Sequence, residues 1–338
     1  MPTERMERDM NSARLDRAID RDTVRRAIEL ATRAPSIHNT QPWRWLLGER
    51  SVHLYADLKR WLPATDADGR DLLLSCGAAL HHLRIALAAA GVGAAVHRLP
   101  NPGEPDHLAA LELSPGRTRD ADLRMASAIA IRRTDRRAYQ DWPVPEPYLA
   151  ELTAAAAAQG ATLRVITEDR PRNQVLHAIH EAATAQPATP GYDLELALWS
   201  ARDASPDGVP AANLPTRPSA AVPAARRFRP GELADRGGAP DRSTLLVLGT
   251  ASDDRLCQLR AGEALSAVLL LATASGLATC PLSQPLEVGH TRRYLRDQVL
   301  GGTLCPQVIL RLGWAPSRPA LPATPRRRAE GVIEPLSR

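Results

Sequence analysis

The chain has 338 residues, 44% of them hydrophobic and 24% charged, the composition of a globular protein large enough for one big domain or two ordinary ones. The net charge is +5 and the pI 9.4, yet the arginines are scattered and no zinc-finger, basic-zipper or RNA-recognition signature occurs, so nucleic acid is not an expected partner. Cys76, Cys257, Cys280 and Cys305 stand far apart without a CxxC pair, which argues against a thiolate metal site or a redox dithiol.

Residues 1–20 are charged throughout and lack the apolar core of a secretory signal. A cytoplasmic protein is therefore expected. Over 23–31 apolar residues recur at helical spacing, with Asp22 as the expected cap, and Pro35 ends the helix. The next stretch, APSIHNTQPW, crowds Ser36, His38, Asn39, Thr40 and Gln41 onto one corner. Local turn chemistry accounts for Pro, Ser and Asn in a capped loop. A site that gathers donors and acceptors accounts for the same residues.

Strands are expected over 43–47 and 52–55, then a helix written CGAALHHLRIALAAAGVG over 76–93 and a strand over 107–113. A second helix, AGEALSAVLLLATASGLA over 261–278, aligns with the first without a gap. Gly77 meets Gly262, Leu80 meets Leu265 and Gly91 meets Gly276, and a strand over 307–312 follows. Further strands are expected over 162–166 and 243–248. Mixed helix and sheet in two related halves dividing near residue 120 is the reading. The apolar run 265–277 is too short to span a bilayer and is expected to be a buried helix.

Residues 186–240 fall outside the repeat and are rich in Pro, Gly, Ala and Asp. A loop of that length is usually a lid or a disordered insert. Tyr192, Leu196, Leu198 and Trp199 favour a packed lid. GVGAAV at Gly91 lacks the third glycine of a dinucleotide fingerprint and follows a helix. His81 and His82 point about a hundred degrees apart on a helix, with no carboxylate at ligand spacing, so a structural role is expected. The run IRRTDRRAY, 131–139, reads as a solvated charged face or as an anion site. Arg132, Thr134 and Arg136 would share one side of an extended segment. Arg326, Arg327 and Arg328 form a second cluster that could converge on the same anion.

Pro35, Ser36, Asn39, Gln41, Pro42 and Trp43 form a Pro-Ser-x-x-Asn-x-Gln-Pro-Trp pattern that resembles the hallmark of the FMN-dependent nitroreductase superfamily. The Arg-x-Thr-x-Arg segment resembles that family's phosphate-binding start, SGLATCPLSQPLE its Gly-Leu-Gly stretch, and TPRRR its C-terminal basic motif. With LWSARDASPDGVP and LRLGWAP, the chain resembles the double-length, dormancy-associated Acg-type branch over roughly 20–335.

The resemblance implies an α+β, nitroreductase-like fold: two related mixed α/β halves in one chain, forming a pseudo-dimer. An extension would cover 1–20, the first half 21–120 and the second 121–338, with the lid-like insert at 186–240. It implies one FMN site across the halves. Arg132, Thr134, Arg136, Arg326 and Arg327 would hold phosphate and ribityl, Pro35, Ser36, Asn39 and Gln41 would come from the other half, and Gly276 and Leu277 would offer backbone N–H groups to the ring edge. Ala278 stands where the family has its last glycine. The expected activity passes hydride from NAD(P)H through FMN to a nitroaromatic, quinone or other small acceptor, with no catalytic side chain required. The alternative is FMN storage beneath a lid closed by Tyr192 or Trp199. A monomer is expected, since the fusion supplies its own two-fold contact.

Overall fold

The computed structural model describes residues 19–203, 205–216, 226, 228, 230–233, 241–316 and 320–336. All but the last two residues of the expected 1–20 extension lie outside them. Two sheets organise the chain. The first, in the order β3-β4-β2-β1-β9, holds β1 (Trp43–Leu47), β2 (Ser51–Ala56), β3 (Val92–Arg98), β4 (His107–Pro115) and β9 (Ile333–Pro335). The second, in the order β5-β6-β8-β7, holds β5 (Thr162–Ile166), β6 (Thr244–Thr250), β7 (Ala278–Leu282) and β8 (Cys305–Gly313). Taken from its other edge, β7-β8-β6-β5 repeats β3-β4-β2-β1. Each of these neighbouring pairs is antiparallel.

A 20-residue helix follows the second strand of each sheet, Arg70–Ala89 in one and Arg255–Ala274 in the other. Both bounds fall on the alignment that matches Gly77 with Gly262. Each helix is followed by a left-handed glycine, Gly91 at φ 74 and Gly276 at φ 76. The matched inner glycines mark where the two helices cross. A Cβ on Gly77 would stand 2.0 Å from the Leu259 carbonyl oxygen, and one on Gly262 2.1 Å from that of Leu74. Only hydrogen fits there. By length and composition both helices could cross a bilayer, but both are largely buried in the protein. Apolar on nearly all faces, they suit a core position between layers. The expected short run 265–277 is thus the end of a longer element.

Across this contact Glu263, with no exposed surface, receives Arg84 at 2.7 Å and Arg98 at 2.6 Å from the first half. One apolar cluster lies around the first sheet, with Trp43 and Trp45 fully buried, and two more flank the second.

Two expectations are corrected, and two strands appear that the sequence did not announce. The first helix runs Arg21–Ala31 and is capped by Asp20, not Asp22; the Asp20 carboxylate accepts from the N–H groups of Asp22 and Thr23 at 3.2 and 3.1 Å. Strands β3 and β7, rich in Gly, Ala and Pro, carry weak strand propensity and lie at sheet edges where such residues are tolerated. Residues 121–338 are not confined to the second sheet. Strand β9 returns to the first, parallel to β1 with Trp45 opposite Ile333.

Candidate functional site

The polar corner is built by three non-glycine residues in left-handed conformation, His38 (φ 44), Asn39 (φ 56) and Gln41 (φ 53). Such a cluster is costly and persists only where its surroundings fix it. The Ser36 hydroxyl accepts from the Gln41 N–H at 3.0 Å, and the Ile37 N–H donates to Ser75 Oγ at 3.1 Å, tying the corner to the Arg70–Ala89 helix. The Asn39 amide donates to the Gly208 carbonyl at 2.9 Å and the Pro325 carbonyl at 3.2 Å. Gln41 donates to the Pro206 carbonyl at 2.8 Å, and its Oε1 accepts from the Arg327 N–H at 2.8 Å. Asn39 and Gln41 therefore clamp the insert and the C-terminal arm to the first half. Sequence reasoning placed them at the ligand, but their amide donors are spent on backbone carbonyls, and neither residue lines the neighbouring cavity.

That cavity, of about 130 Å³, lies between the halves. The corner gives it Pro35, Ser36 and His38, the start of the Arg70–Ala89 helix gives Asp71, and the extended segment gives Thr134 and Arg136. Cys280 to Pro285 form the wall at the end of β7. His38 is buried, and among the described residues neither ring nitrogen has a hydrogen-bond partner. Burial, with Arg226 and Arg136 nearby, lowers its pKa well below the ordinary range, so the imidazole is neutral.

The insert contributes Arg226 and Phe228 to the lining. Phe228, the only phenylalanine of the chain, stands edge-on to His38 at 5.5 Å, and the Arg136 guanidinium lies over its ring at 5.4 Å. Arg226 forms a buried ion pair with Glu287 and donates to the Tyr192 hydroxyl at 3.1 Å. Tyr192 and Trp199 do not cover the cavity. Tyr192 is buried beneath Arg226, and Trp199 lies under Arg202 at 5.4 Å. An isolated Phe in an arginine-rich run was the signal that sequence reasoning passed over.

Gly276 and Leu277 also lie elsewhere. Their N–H groups donate to the carbonyls of Thr273 and Ala272 at 3.1 and 2.9 Å, closing the end of the Arg255–Ala274 helix, and Leu277 is core. The backbone that reaches the cavity starts three residues later.

Beside the cavity is a smaller notch lined by Arg33, Arg132, Arg133, Thr324 and Arg326. No carboxylate is among its described lining residues. Arg132 is 5% exposed, and its Nε and Nη1 have no partner among the described residues. Burial, then Arg133, lowers its pKa to about 10. Burial and the charges of Arg132, Arg133 and Arg33 take Arg326 to about 9. Arg326 also donates to the carbonyls of Thr32 at 2.9 Å and of Arg33 and Ala34 at 3.2 Å, at the end of the first helix. The two arginine clusters thus meet through Arg326. Arg327 does not join them; it donates to the Gln41 carbonyl at 3.2 Å and lies 3.6 Å from Asp57.

The segment between notch and cavity alternates. Arg132, Thr134 and Arg136 face the site, while Asp135 and Arg137 turn inward as a buried pair at 2.7 Å. Thr134 bridges Thr279 in parallel, laying this segment along β7. His81 and His82 both come within 2.8 Å of Ser266 Oγ at the helix contact, a structural position.

No family model matches the chain. It is 47% identical over 320 residues to a Mycobacterium tuberculosis H37Rv protein named "Putative NAD(P)H nitroreductase Rv3131", covering 93% of this chain and 92% of that one. It is 40% identical over 325 residues to the same organism's "Putative NAD(P)H nitroreductase acg", covering 94% and 97%. Among solved structures, an FMN- and NADPH-dependent nitroreductase of Sphigopyxis sp. strain HMH gives a TM-score of 0.41 at 17% identity, covering 63% of this chain and 99% of that one. A Bacteroides fragilis nitroreductase with bound FMN gives 0.37 at 15%, covering 59% and 91%. With 40–47% identity over more than nine-tenths of these mycobacterial relatives, the chain belongs to the Acg-type NAD(P)H nitroreductase family.

Proposed function

We propose that the cavity and the arginine notch together hold one FMN, and that the protein is an oxidoreductase passing reducing equivalents from NAD(P)H to a small quinone or nitroaromatic acceptor. The observation that carries this reading is the buried Arg132 guanidinium, whose Nε and Nη1 have no hydrogen-bond partner among the described residues, in a notch lined by three further arginines. A buried cation with no carboxylate among the described residues lining its notch asks for an anion, and a phosphate monoester suits such forked donors. From Arg132 to Arg136 an extended segment covers about 13 Å, a reach suited to a ribityl chain running from notch to cavity. Thr134 lies midway with its hydroxyl. Neutral His38, Phe228 and Pro281 keep the cavity largely apolar, while Arg136 supplies a positive charge there. When bound, the flavin would supply the hydride chemistry, and the protein its placement and its exclusion of water. The names of the relatives support the same donor.

The test is direct. Protein purified without added cofactor should be yellow, carry about one FMN per chain, and lose its visible flavin absorbance on anaerobic mixing with NADPH. Two flavins per chain, or none after FMN is supplied, would overturn the reading. Because every part of the site comes from one chain, light scattering should find a monomer of 36.6 kDa.

A second reading, storage of FMN with little turnover, is favoured by one observation: Arg226 and Phe228 of the insert line the cavity, and Arg226 is pinned to Glu287. Flavin that is bound but stays oxidised under NADPH would select it.

A further inference from the structure

Proton supply is the part of such a reaction that the flavin leaves open. Two-electron reduction of a quinone to hydroquinone adds two electrons and two protons, and a hydride carries only one of the protons. In a cavity lined largely by apolar surface, a nearby buried group is well placed to supply the other.

Asp71 has the right placement. It lines the cavity and is 4% exposed, and its Oδ2 has no hydrogen-bond partner among the described residues. Oδ1 is held by the Arg70 guanidinium at 2.9 Å, which fixes the carboxyl on the first turn of the Arg70–Ala89 helix. The elements packed around it bring charge of both signs. Asp66 of the preceding loop accepts from the Asp71 N–H at 2.9 Å, and Glu287 approaches from the second half with Arg226 as its partner. Arg136 faces the same cavity from the extended segment.

We propose that Asp71 is the proton donor to the acceptor bound in this cavity. The inference rests on the proposed oxidoreductase reading and adds to it a catalytic residue. For the step to balance, the hydride, two electrons with one proton, would be supplied by the bound reduced cofactor. One quinone oxygen receives the hydride, and the other takes the proton from the Asp71 carboxyl. Hydroquinone leaves, and Asp71 remains as a carboxylate beside Arg70 until water returns the proton.

Geometry makes the step possible, and protonation at neutral pH makes it available. Burial first, then Asp66 and Glu287, outweigh the opposing Arg70 and Arg226 and push Asp71 up to about 8. A buried carboxyl held neutral at pH 7 is what a general acid requires, and such groups contribute about 10²- to 10⁴-fold.

The experiment uses full-length FMN-loaded protein, wild type and Asp71→Asn, with the flavin reduced anaerobically by dithionite so that no reaction with NADPH is needed. Reoxidation is followed with p-benzoquinone, which takes protons, and with ferricyanide, which takes electrons alone. The quinone-to-ferricyanide rate ratio should fall at least tenfold in Asp71→Asn, and the wild-type ratio should decline as pH rises through about 8. Independently, infrared difference titration without substrate should show a protonated-carboxyl band that titrates near the same pH and is missing in the variant. An unchanged ratio, or a carboxyl that titrates in the ordinary acid range, overturns the proposal. Failure of NADPH to bleach the wild-type flavin would count against the oxidoreductase reading alone, because the dithionite arm does not pass through it.

Discussion

Replacing Arg132 by Met should make the empty protein more stable and the loaded protein less so. The guanidinium is 5% exposed and its pKa lies at about 10, lowered from 12.5. At about 1.4 kcal/mol per pH unit, keeping it charged in the fold costs roughly 3 kcal/mol. The sign follows from which form suffers. A base with a depressed folded pKa carries the whole penalty below that pKa and sheds it as pH rises from 10 towards 12.5. Met has similar length and no charge, so apo Arg132→Met should gain about 2 kcal/mol once imperfect packing is allowed for. At about 2 °C per kcal/mol for a long chain, its Tm should rise by about 4 °C. With FMN the order reverses. Two charge-assisted contacts at about 1.5–3 kcal/mol each are lost, so FMN affinity should fall by about 10² to 10⁴. Thermal unfolding of apo and loaded forms, with fluorescence titration of FMN, measures both arms. Above pH 10 the apo wild type should close the gap on the variant. An apo variant no more stable than wild type, or one that keeps its FMN affinity, refutes the reasoning.

Gly262→Ala, whose Cβ would meet the Leu74 carbonyl at 2.1 Å, should cost about 3 kcal/mol or more in urea unfolding. Gly276→Ala, with open space but φ 76, should cost only about 1 kcal/mol; equal losses would deny that the crossing is the tight point. Glu263→Gln should lower stability by about 1–3 kcal/mol, since Arg84 and Arg98 share its buried carboxylate while keeping partial contact with solvent; no measurable loss would show that the pairs contribute nothing. Phe228→Ala should speed flavin bleaching by NADPH about tenfold for each ~1.4 kcal/mol with which the insert closes the cavity. Asn39→Ala should expose the 203–209 segment to limited proteolysis, and unchanged cleavage would deny the clamp.

Much of this was legible because the relevant signal was local. The two long helices carried their periodicity and their closing glycines, and the alignment even singled out Gly77 and Gly262, although only the crossing explains them. The alternation of Arg132, Thr134 and Arg136 could be read from strand geometry, and Arg326 from its cluster. What stayed hidden depended on distant partners. Nothing near Asn39 or Gln41 says that their amides meet carbonyls at 206, 208 and 325. Tyr192 and Trp199 stand out as lid residues and Phe228 does not, because bulk apolarity is visible in a sequence and the path of a proline-rich insert is not. Asp71 sits in an unremarkable helix start, and its carboxyl is unusual chiefly because the fold buries it, with Asp66 and Glu287 brought near. Strand β9, three residues long, is too short to carry a pattern.

That short strand has a consequence for how the protein is made. Until residues 333–335 leave the ribosome, β1, with its Trp-Arg-Trp-Leu-Leu sequence, is an unpaired edge of the first sheet, and such edges recruit other chains. The same late arm brings Arg326 to the notch. Until that arm has emerged, the nascent chain carries an adhesive edge and the phosphate end of its proposed site is incomplete. A stop codon shortly before residue 326 should yield insoluble protein rather than a soluble one that merely binds FMN less well.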